Sequence, residues 1–367
     1  MEQKEVEIKE TWLHGRHKDL GAQMSPFAGY DMPIQYKGIA EEHNAVRQEV
    51  GVFDVSHMGE VRVKGPEAEK YVNHIFVNDV RGAAPGQIFY GMMCYENGGT
   101  VDDLLVYKVS DNEFFLVINA ANIDKDVAWI KQNAEGYDVE VIDESPRYGE
   151  VAVQGPKAEE TVEKVLGIPV KDIKFYNFAT FERDGEEIIV SRTGYTGEDG
   201  FEIYGSEAYI QKVWDALMEA GVAPCGLGCR DTLRFEVGLP LYGDELSADI
   251  TPIEASLSMF VKLDKPEFIG KEALAAQKAE GVKRRIIGLE LDGNAIPRHG
   301  YPVEVDGKQV GEITTGYRSI STGKSVAMAM VDKPYDKLGT KVEVRIRKKT
   351  FPATVVKKKF YDKNYKK

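Results

Sequence analysis

Cysteine is scarce: Cys94, Cys225 and Cys229 are the only three in 367 residues. So few, and an odd number, exclude a disulfide framework and fit a reducing compartment. Cys225 and Cys229 lie four apart, but no other Cys or His stands near them in sequence to complete a tetrahedral set. They read as small buried apolar side chains, and no metal is assigned. Long apolar runs are missing too, and none approaches the ~18 residues that suggest a membrane-spanning helix. With 43% hydrophobic and 29% charged residues, the chain is expected to be soluble and globular, with no membrane partner. Basic charge is in deficit: 47 Lys and Arg against 60 Asp and Glu leave a formal charge of -13. That sign excludes a general nucleic-acid surface. The local exception is the tail, where Arg345, Arg347, Lys348, Lys349, Lys357, Lys358, Lys359, Lys363, Lys366 and Lys367 accumulate; it is either a solvated strand face and frayed end or a landing patch for an acidic partner. The acidic opening residues 1–7 have neither an apolar segment nor an Arg-rich face. No signal or transit peptide is expected, and the expected location is cytoplasmic.

The length predicts two or three domains with ample core. A helix is expected over residues 11–20, a structured aromatic loop stiffened by two prolines over 25–33, and a helix over 39–50. Two short strands around a polar step follow at 52–63. An internal repeat then stands out. Val61-Arg62-Val63-Lys64-Gly65-Pro66-Glu67-Ala68 recurs as Val151-Ala152-Val153-Gln154-Gly155-Pro156-Lys157-Ala158, each a strand, a Gly-Pro turn with proline opening the helix, and an amphipathic helix. Two similar halves with hairpin signals between their strands predict an α+β fold with a cleft at their junction. Beyond about Lys283, short strands separated by Gly, Asp and Pro turns, with Asp306-Gly307 as a hairpin signal, predict a small β-barrel or sandwich.

Gly98-Gly99-Thr100-Val101-Asp102-Asp103-Leu104-Leu105-Val106-Tyr107 carries the sharpest chemistry. A double glycine delivers two adjacent carboxylates to an apolar strand, which makes either turn chemistry or a working acid site. In the second half, Arg192-Thr193-Gly194-Tyr195-Thr196-Gly197-Glu198-Asp199-Gly200-Phe201-Glu202 interleaves glycines with polar groups. It is either a long hairpin turn or a close contact for a polar ring system; its spacing matches neither a Walker loop nor a dinucleotide fingerprint. Arg230 and Arg234 share a helix face one turn apart, able to brace a core junction or bind a carboxylate. His57, alone in a strand step, reads as structural.

Taken together, Phe27-Ala28-Gly29-Tyr30-Asp31-Met32-Pro33, residues 53–60, 98–104 and 119–122, the 192–202 segment, Gly226-Leu227-Gly228-Cys229-Arg230-Asp231-Thr232-Leu233-Arg234 and the Gly-Tyr-Pro-Val of the last region resemble the aminomethyltransferases, the T-proteins of the glycine cleavage system. The resemblance runs in order from about Thr11 to about Tyr361. It implies a three-part, cloverleaf-like protein: residues 1–282 as a folate-binding region of two interleaved pseudo-repeat subdomains, and 283–367 as a β-barrel domain. The implied activity moves a methylene group from the aminomethyl-lipoyl arm of the glycine cleavage H-protein to tetrahydrofolate, releasing ammonia. The implied partners are lipoylated H-protein and other glycine cleavage components. The acid corresponds to Asp103, which leaves Asp102 as the turn residue, and Met58, Tyr90, Tyr107, Asn119, Tyr195, Glu202 and Arg230 correspond to the folate site. Two departures from the family pattern are Tyr30 for Trp, and Ser256 and Met259 for Gly and Trp. Other readings are a relative on the same fold that demethylates another donor, and a folate-binding module without turnover.

Overall fold

The computed structural model describes residues 8–366, so the acidic opening on which the targeting expectation rests lies outside the described residues. Within them no helix is long and apolar enough to cross a membrane, and all three cysteines are buried free thiols. After helix α1 (His14–Asp19), the stretch expected as a loop is instead a hairpin of β1 (Gln23–Phe27) and β2 (Tyr30–Gln35), with Phe27 opposite Tyr30. Ala28 and Gly29 between them have φ of 51° and 82°, the positive pair that a tight two-residue hairpin turn requires. Pro26 and Pro33 are tolerated because a two-stranded sheet consists only of edges.

The sequence repeat is a structural repeat. Helix α2 (Ile39–Gln48) and strand β3 (Gly51–Asp54) come first. The first unit comprises β4 (Gly59–Lys64), α3 (Ala68–Ile75), β5 (Ile88–Cys94), β6 (Thr100–Ser110), β7 (Glu113–Ile118), α4 (Ile123–Asn133) and β8 (Glu140–Asp143). The second comprises β9 (Gly149–Gln154), α5 (Ala158–Leu166), β10 (Phe178–Arg183), β11 (Glu186–Ser191), β12 (Gly200–Gly205) and α6 (Glu207–Glu219). Pro66 and Pro156 stand in the turns that lead into α3 and α5, which begin two residues later than expected. The sheets run β5-β6-β7-β4-β8 and β10-β11-β12-β9-β3-β13, the last strand being β13 (Ala223–Pro224). The first four positions match. The strand beside β9 is β3, which precedes the first unit in the chain, so the halves interleave.

Strand alternation decides the layers. Val61, Val63, Leu104, Val106, Phe114 and Leu116 point to one face of the first sheet, where α3 and α4 supply Tyr71, Val72, Ile75 and Ile130. Val151, Val153, Ile188, Val190, Phe201 and Ile203 do the same in the second sheet, against Val162, Ile210, Val213 and Trp214 of α5 and α6. The opposite faces meet, and Tyr107, Phe115 and Val117 of one sheet pack with Ile189 and Tyr204 of the other. The order is helices, sheet, sheet, helices.

Six further strands, from Arg284–Leu291 to Lys349–Val356, close into a barrel around Leu289, Val303, Ile313, Ala329, Val344 and Val355. The basic tail is not uniformly solvated, for Lys358 turns inward and donates to the Ala255 carbonyl at 3.1 Å. Helix α7 (Leu227–Glu236) joins α2 to the barrel through a buried polar cluster. Glu236 accepts from Ser319 Oγ at 2.7 Å and Ser321 N at 2.9 Å, and it faces His43 Nε2 at 3.2 Å and Arg47 Nη2 at 3.3 Å. Burial alone would raise the pKa of Glu236, but bonding to His43 and Ser321 outweighs it and holds the group at about 2, against an ordinary 4.5. Its folded pKa is depressed, so its stabilisation is complete above pH 4.5 and is lost as the pH falls through about 2. Chemical denaturation at pH 6 and pH 3 is therefore expected to show Glu236→Gln costing more at pH 6; an equal cost at both would refute this.

Candidate active site

The double aspartate lies within β6, not in the turn before it. Gly98 has φ 85°, and a Cβ on Gly99 would sit 1.9 Å from the Ala248 carbonyl oxygen. The two glycines thus let residues 247–250 pack onto the strand start, where Thr100 N bonds Ser247 O and Thr100 Oγ1 bonds Ile250 O at 2.8 Å. Met93 opposes Asp102 while Cys94 opposes Thr100, so Val101 is an extra residue that bulges the strand beside the acids.

Beyond the bulge the period of two separates the two carboxylates. Asp103 is in step with Leu105 and Tyr107 and faces the other sheet; Asp102 is in step with Leu104 and Val106 and faces the helices. Asp102 is wholly buried, so its reading as a turn residue is corrected. Asp103 accepts from Tyr90 Oη on neighbouring β5 at 2.9 Å and from Asn119 Nδ2, just beyond β7, at 2.9 Å. Its pKa is pushed up to about 7 by burial and then by the Asp102 charge, against the pull of the Tyr90 and Asn119 bonds. A carboxyl poised there exchanges a proton readily at neutral pH.

On the second sheet, Glu202 shares the inter-sheet face of β12 with Tyr204. It is buried and accepts from Thr193 Oγ1, which is itself linked to Ser191 Oγ at 2.6 Å. Burial raises its pKa, and Thr193 and the Arg230 charge oppose the rise. Tyr107 is wholly buried among Phe115, Phe178 and Tyr204; its hydroxyl bonds Ser191 Oγ at 3.1 Å and Tyr204 Oη at 2.9 Å. Its ring is enclosed in the inter-sheet core.

The two arginines of α7 part company. Arg234 is fully buried and braced by Asp231 at 2.7 Å and Glu245 at 2.9 Å. Arg230 is half-buried and lies over the Tyr195 ring at 4.5 Å, without a carboxylate partner among the described residues. Tyr195 follows β11 and donates to the Pro240 carbonyl. Met58 lies between the core under α7 and the inter-sheet core. Ser256, where the family pattern has Gly, adopts φ 60°, and its hydroxyl bonds Ile286 O at 2.8 Å; Met259 is 71% exposed.

Several polar residues on this face escaped the motif reading. Glu60 and Glu150 take the same place in the two repeats, one residue before the matching Val-x-Val, and extending the repeat by that residue is their signal. Both are buried, with both oxygens of Glu60 and Oε2 of Glu150 unpartnered. Burial raises the pKa of each, and the Glu150 charge adds to the rise at Glu60. His57, read as structural, packs edge-on to Phe27 and Tyr30 of the hairpin, and burial lowers its pKa to about 4. It is neutral near pH 7.

The assembled face is acidic and aromatic, with one unpaired guanidinium. Comparison with known proteins accounts for nearly all of the chain. The family model of the GCVT N-terminal domain matches residues 13–265, and that of the glycine cleavage T-protein C-terminal barrel domain matches 284–362. The aminomethyltransferase of Thermoanaerobacter pseudethanolicus is 50% identical over 365 residues, covering 98% of this chain and 99% of that one. The aminomethyltransferase of Alkaliphilus oremlandii is 48% identical over 367 residues, covering 99% of this chain and all of the other. The crystal structure of glycine cleavage system aminomethyltransferase T from Bartonella henselae superposes with a TM-score of 0.94 at 31% identity, covering 98% of this chain and 100% of that one. Matched from end to end in sequence and in fold, this chain belongs to the aminomethyltransferase family, the T-proteins of the glycine cleavage system.

Proposed function

We propose that this enzyme moves the methylene carbon of an aminomethyl group, carried on the lipoyl arm of H-protein, to tetrahydrofolate, with release of ammonia and dihydrolipoyl H-protein. The observation that carries the reading is the pairing across the sheets: a proton-exchanging Asp103 held by Tyr90 and Asn119 on one side, a buried Glu202 near an unpaired Arg230 on the other. Two acid acceptors and one cation fit a folate, whose ring is rich in N–H donors and whose tail carries carboxylates.

Tetrahydrofolate supplies the weakly nucleophilic nitrogens that take up the carbon. Glu202 accepts two parallel N–H bonds from the aminopyrimidinone edge, a bidentate geometry that a carboxylate suits. Tyr90 and Tyr195 offer ring surface with a polar handle. Asp103 orients the pterin side, takes a proton from the attacking nitrogen and relays one toward the departing amine. Arg230 either steadies the Glu202 charge or meets a carboxylate of the tail. The folate work is assigned to residues 1–282 and the barrel to 283–367. H-protein and the other glycine cleavage components are the proposed partners, in the cytoplasm.

The test mixes the protein with aminomethylated H-protein and tetrahydrofolate and measures ammonia. Ammonia release that requires both supports the reading; none, or release from a free amine donor alone, refutes it. Replacing Arg230 by Ala is expected to raise the folate dissociation constant by about tenfold or more, the worth of a hydrogen bond to a charged group. An unchanged constant by calorimetry removes Arg230 from the site.

A further inference from the structure

The proposed reaction leaves Asp102 without a task, although Asp102 is tied to the residue that holds Asp103. Asn119 donates its backbone N–H to Asp102 Oδ2 at 3.0 Å and its Nδ2 to Asp102 Oδ1 at 2.9 Å. The same Nδ2 reaches Asp103 Oδ1 at 2.9 Å and the Asp103 carbonyl at 3.0 Å. Asn122 Nδ2 adds a third donor to Asp102, at 2.8 Å. On the far side of Asp102 lies Asp126 of α4, also wholly buried. Its Oδ1 takes Lys125 Nζ at 2.6 Å, whereas its Oδ2 meets no N–H or O–H donor. Two buried carboxyls in contact do not both carry charge. Three amide N–H bonds converge on Asp102 against the one Lys125 ammonium on Asp126, so the shared proton belongs on Asp126, where it also satisfies the otherwise unpartnered Oδ2.

We propose that Asp102 and a protonated Asp126 form a hydrogen-bonded acid pair that positions Asn119, and through it Asp103, while keeping one fixed negative charge behind Asp103 on the helix side of β6. The inference rests on Asp103 as the acid of the transfer. Asp102 and Asp126 are positioning residues, for Asp102 faces the helices and Asp126 sits on one of them. Asp103 bonds Tyr90 and Asn119, has Asp102 beside it in the strand, and acts by its charge on Tyr176, Tyr195 and Tyr242. Facing the pair are Lys125, the two asparagines and Tyr242, over whose ring Lys125 Nζ lies at 5.2 Å. Among these, Asp102 is the like charge next to Asp103, and after burial it is the largest influence holding the Asp103 proton.

The test is a carbon-13 NMR titration of the full chain carrying carboxyl-labelled aspartate, with the Asp103 signal identified by its loss in Asp103→Asn. Asp102→Asn is expected to lower the Asp103 midpoint by about one pH unit, the size of effect a neighbouring charge exerts. Asp126→Asn keeps a donor to Asp102 and removes no charge, so the midpoint stays where it is in the wild type. Turnover falls more in Asp126→Leu than in Asp126→Asn, because only the amide retains the bond. An unmoved midpoint in Asp102→Asn overturns the proposal, and so does a midpoint lowered by Asp126→Asn, which would place the charge on Asp126. If Asp102→Asn does not fold, Asp126→Asn decides alone. Wild-type turnover by Asp103→Asn alongside the expected midpoints would sink the role of Asp103 and leave the acid pair standing.

Discussion

Asp103→Asn is expected to lose ~10²–10⁴-fold in turnover, the usual contribution of a positioned acid or base, and to keep its fold. The amide matches the carboxylate in shape; its oxygen still accepts from Asn119 Nδ2, and its NH2 donates to the Tyr90 hydroxyl, which now lies 2.9 Å from Asp103 Oδ2. What it cannot do is take up or release a proton near neutrality, as a carboxyl held at about 7 can. The substitution also removes a like charge beside Asp102, so thermal stability should hold or rise. Single-turnover ammonia release separates this from a binding defect: the rate collapses while the folate dissociation constant moves little. A rate within about threefold of wild type would show that the proton passes elsewhere, since general acid–base contributions are far larger than that.

Arg234→Met carries the largest expected cost in stability, about 3–5 kcal/mol, because it leaves the buried Glu245 without its cation. Arg234 donates from Nε to Asp231 Oδ1, from Nη1 to Glu245 Oε2 at 2.9 Å and to the Leu239 carbonyl at 3.1 Å, and from Nη2 to Thr315 Oγ1 at 3.2 Å. Thr315 belongs to a barrel strand, and Glu245 also accepts from Thr314 and Thr315 there. The guanidinium therefore joins α7 to the barrel through one buried carboxylate. Methionine fills the volume but leaves Glu245 buried and uncompensated. Urea denaturation measures the loss, and Arg234→Met combined with Glu245→Gln should recover part of it. A single-variant loss below about 1 kcal/mol, the scale of an exposed pair, would mean that the brace matters little.

These two arginines show where reading the sequence stops. Arg230 and Arg234 are one helical turn apart with the same chemistry, and either could brace or bind. Packing separates them: Arg234 meets Glu245 and the barrel, and Arg230 lies over the Tyr195 ring with no ion pair among the described residues. Packing also places Tyr107, which the family resemblance put at the folate site and which the inter-sheet core encloses. At residues 25–33 the prolines argued for a loop, yet a hairpin forms, because in a sheet of two strands each proline can sit on an open edge.

By itself the sequence determined the family, the doubling of the first two units, the strand-rich last region and the acid stretch, because repeats, turn residues and alternation are short-range signals carried by neighbours in the chain. Only the tertiary structure decided which strands pair and which face is covered by what. β3, which precedes the first unit in the chain, joins the sheet of the second. Alternation turns the adjacent aspartates to opposite faces, but a one-residue bulge at Val101, and helices on one side of β6 only, decide which face each one takes. Asp103 meets the second sheet and Asp102 the helices. That division depends on partners far away in sequence, whose positions no local pattern encodes.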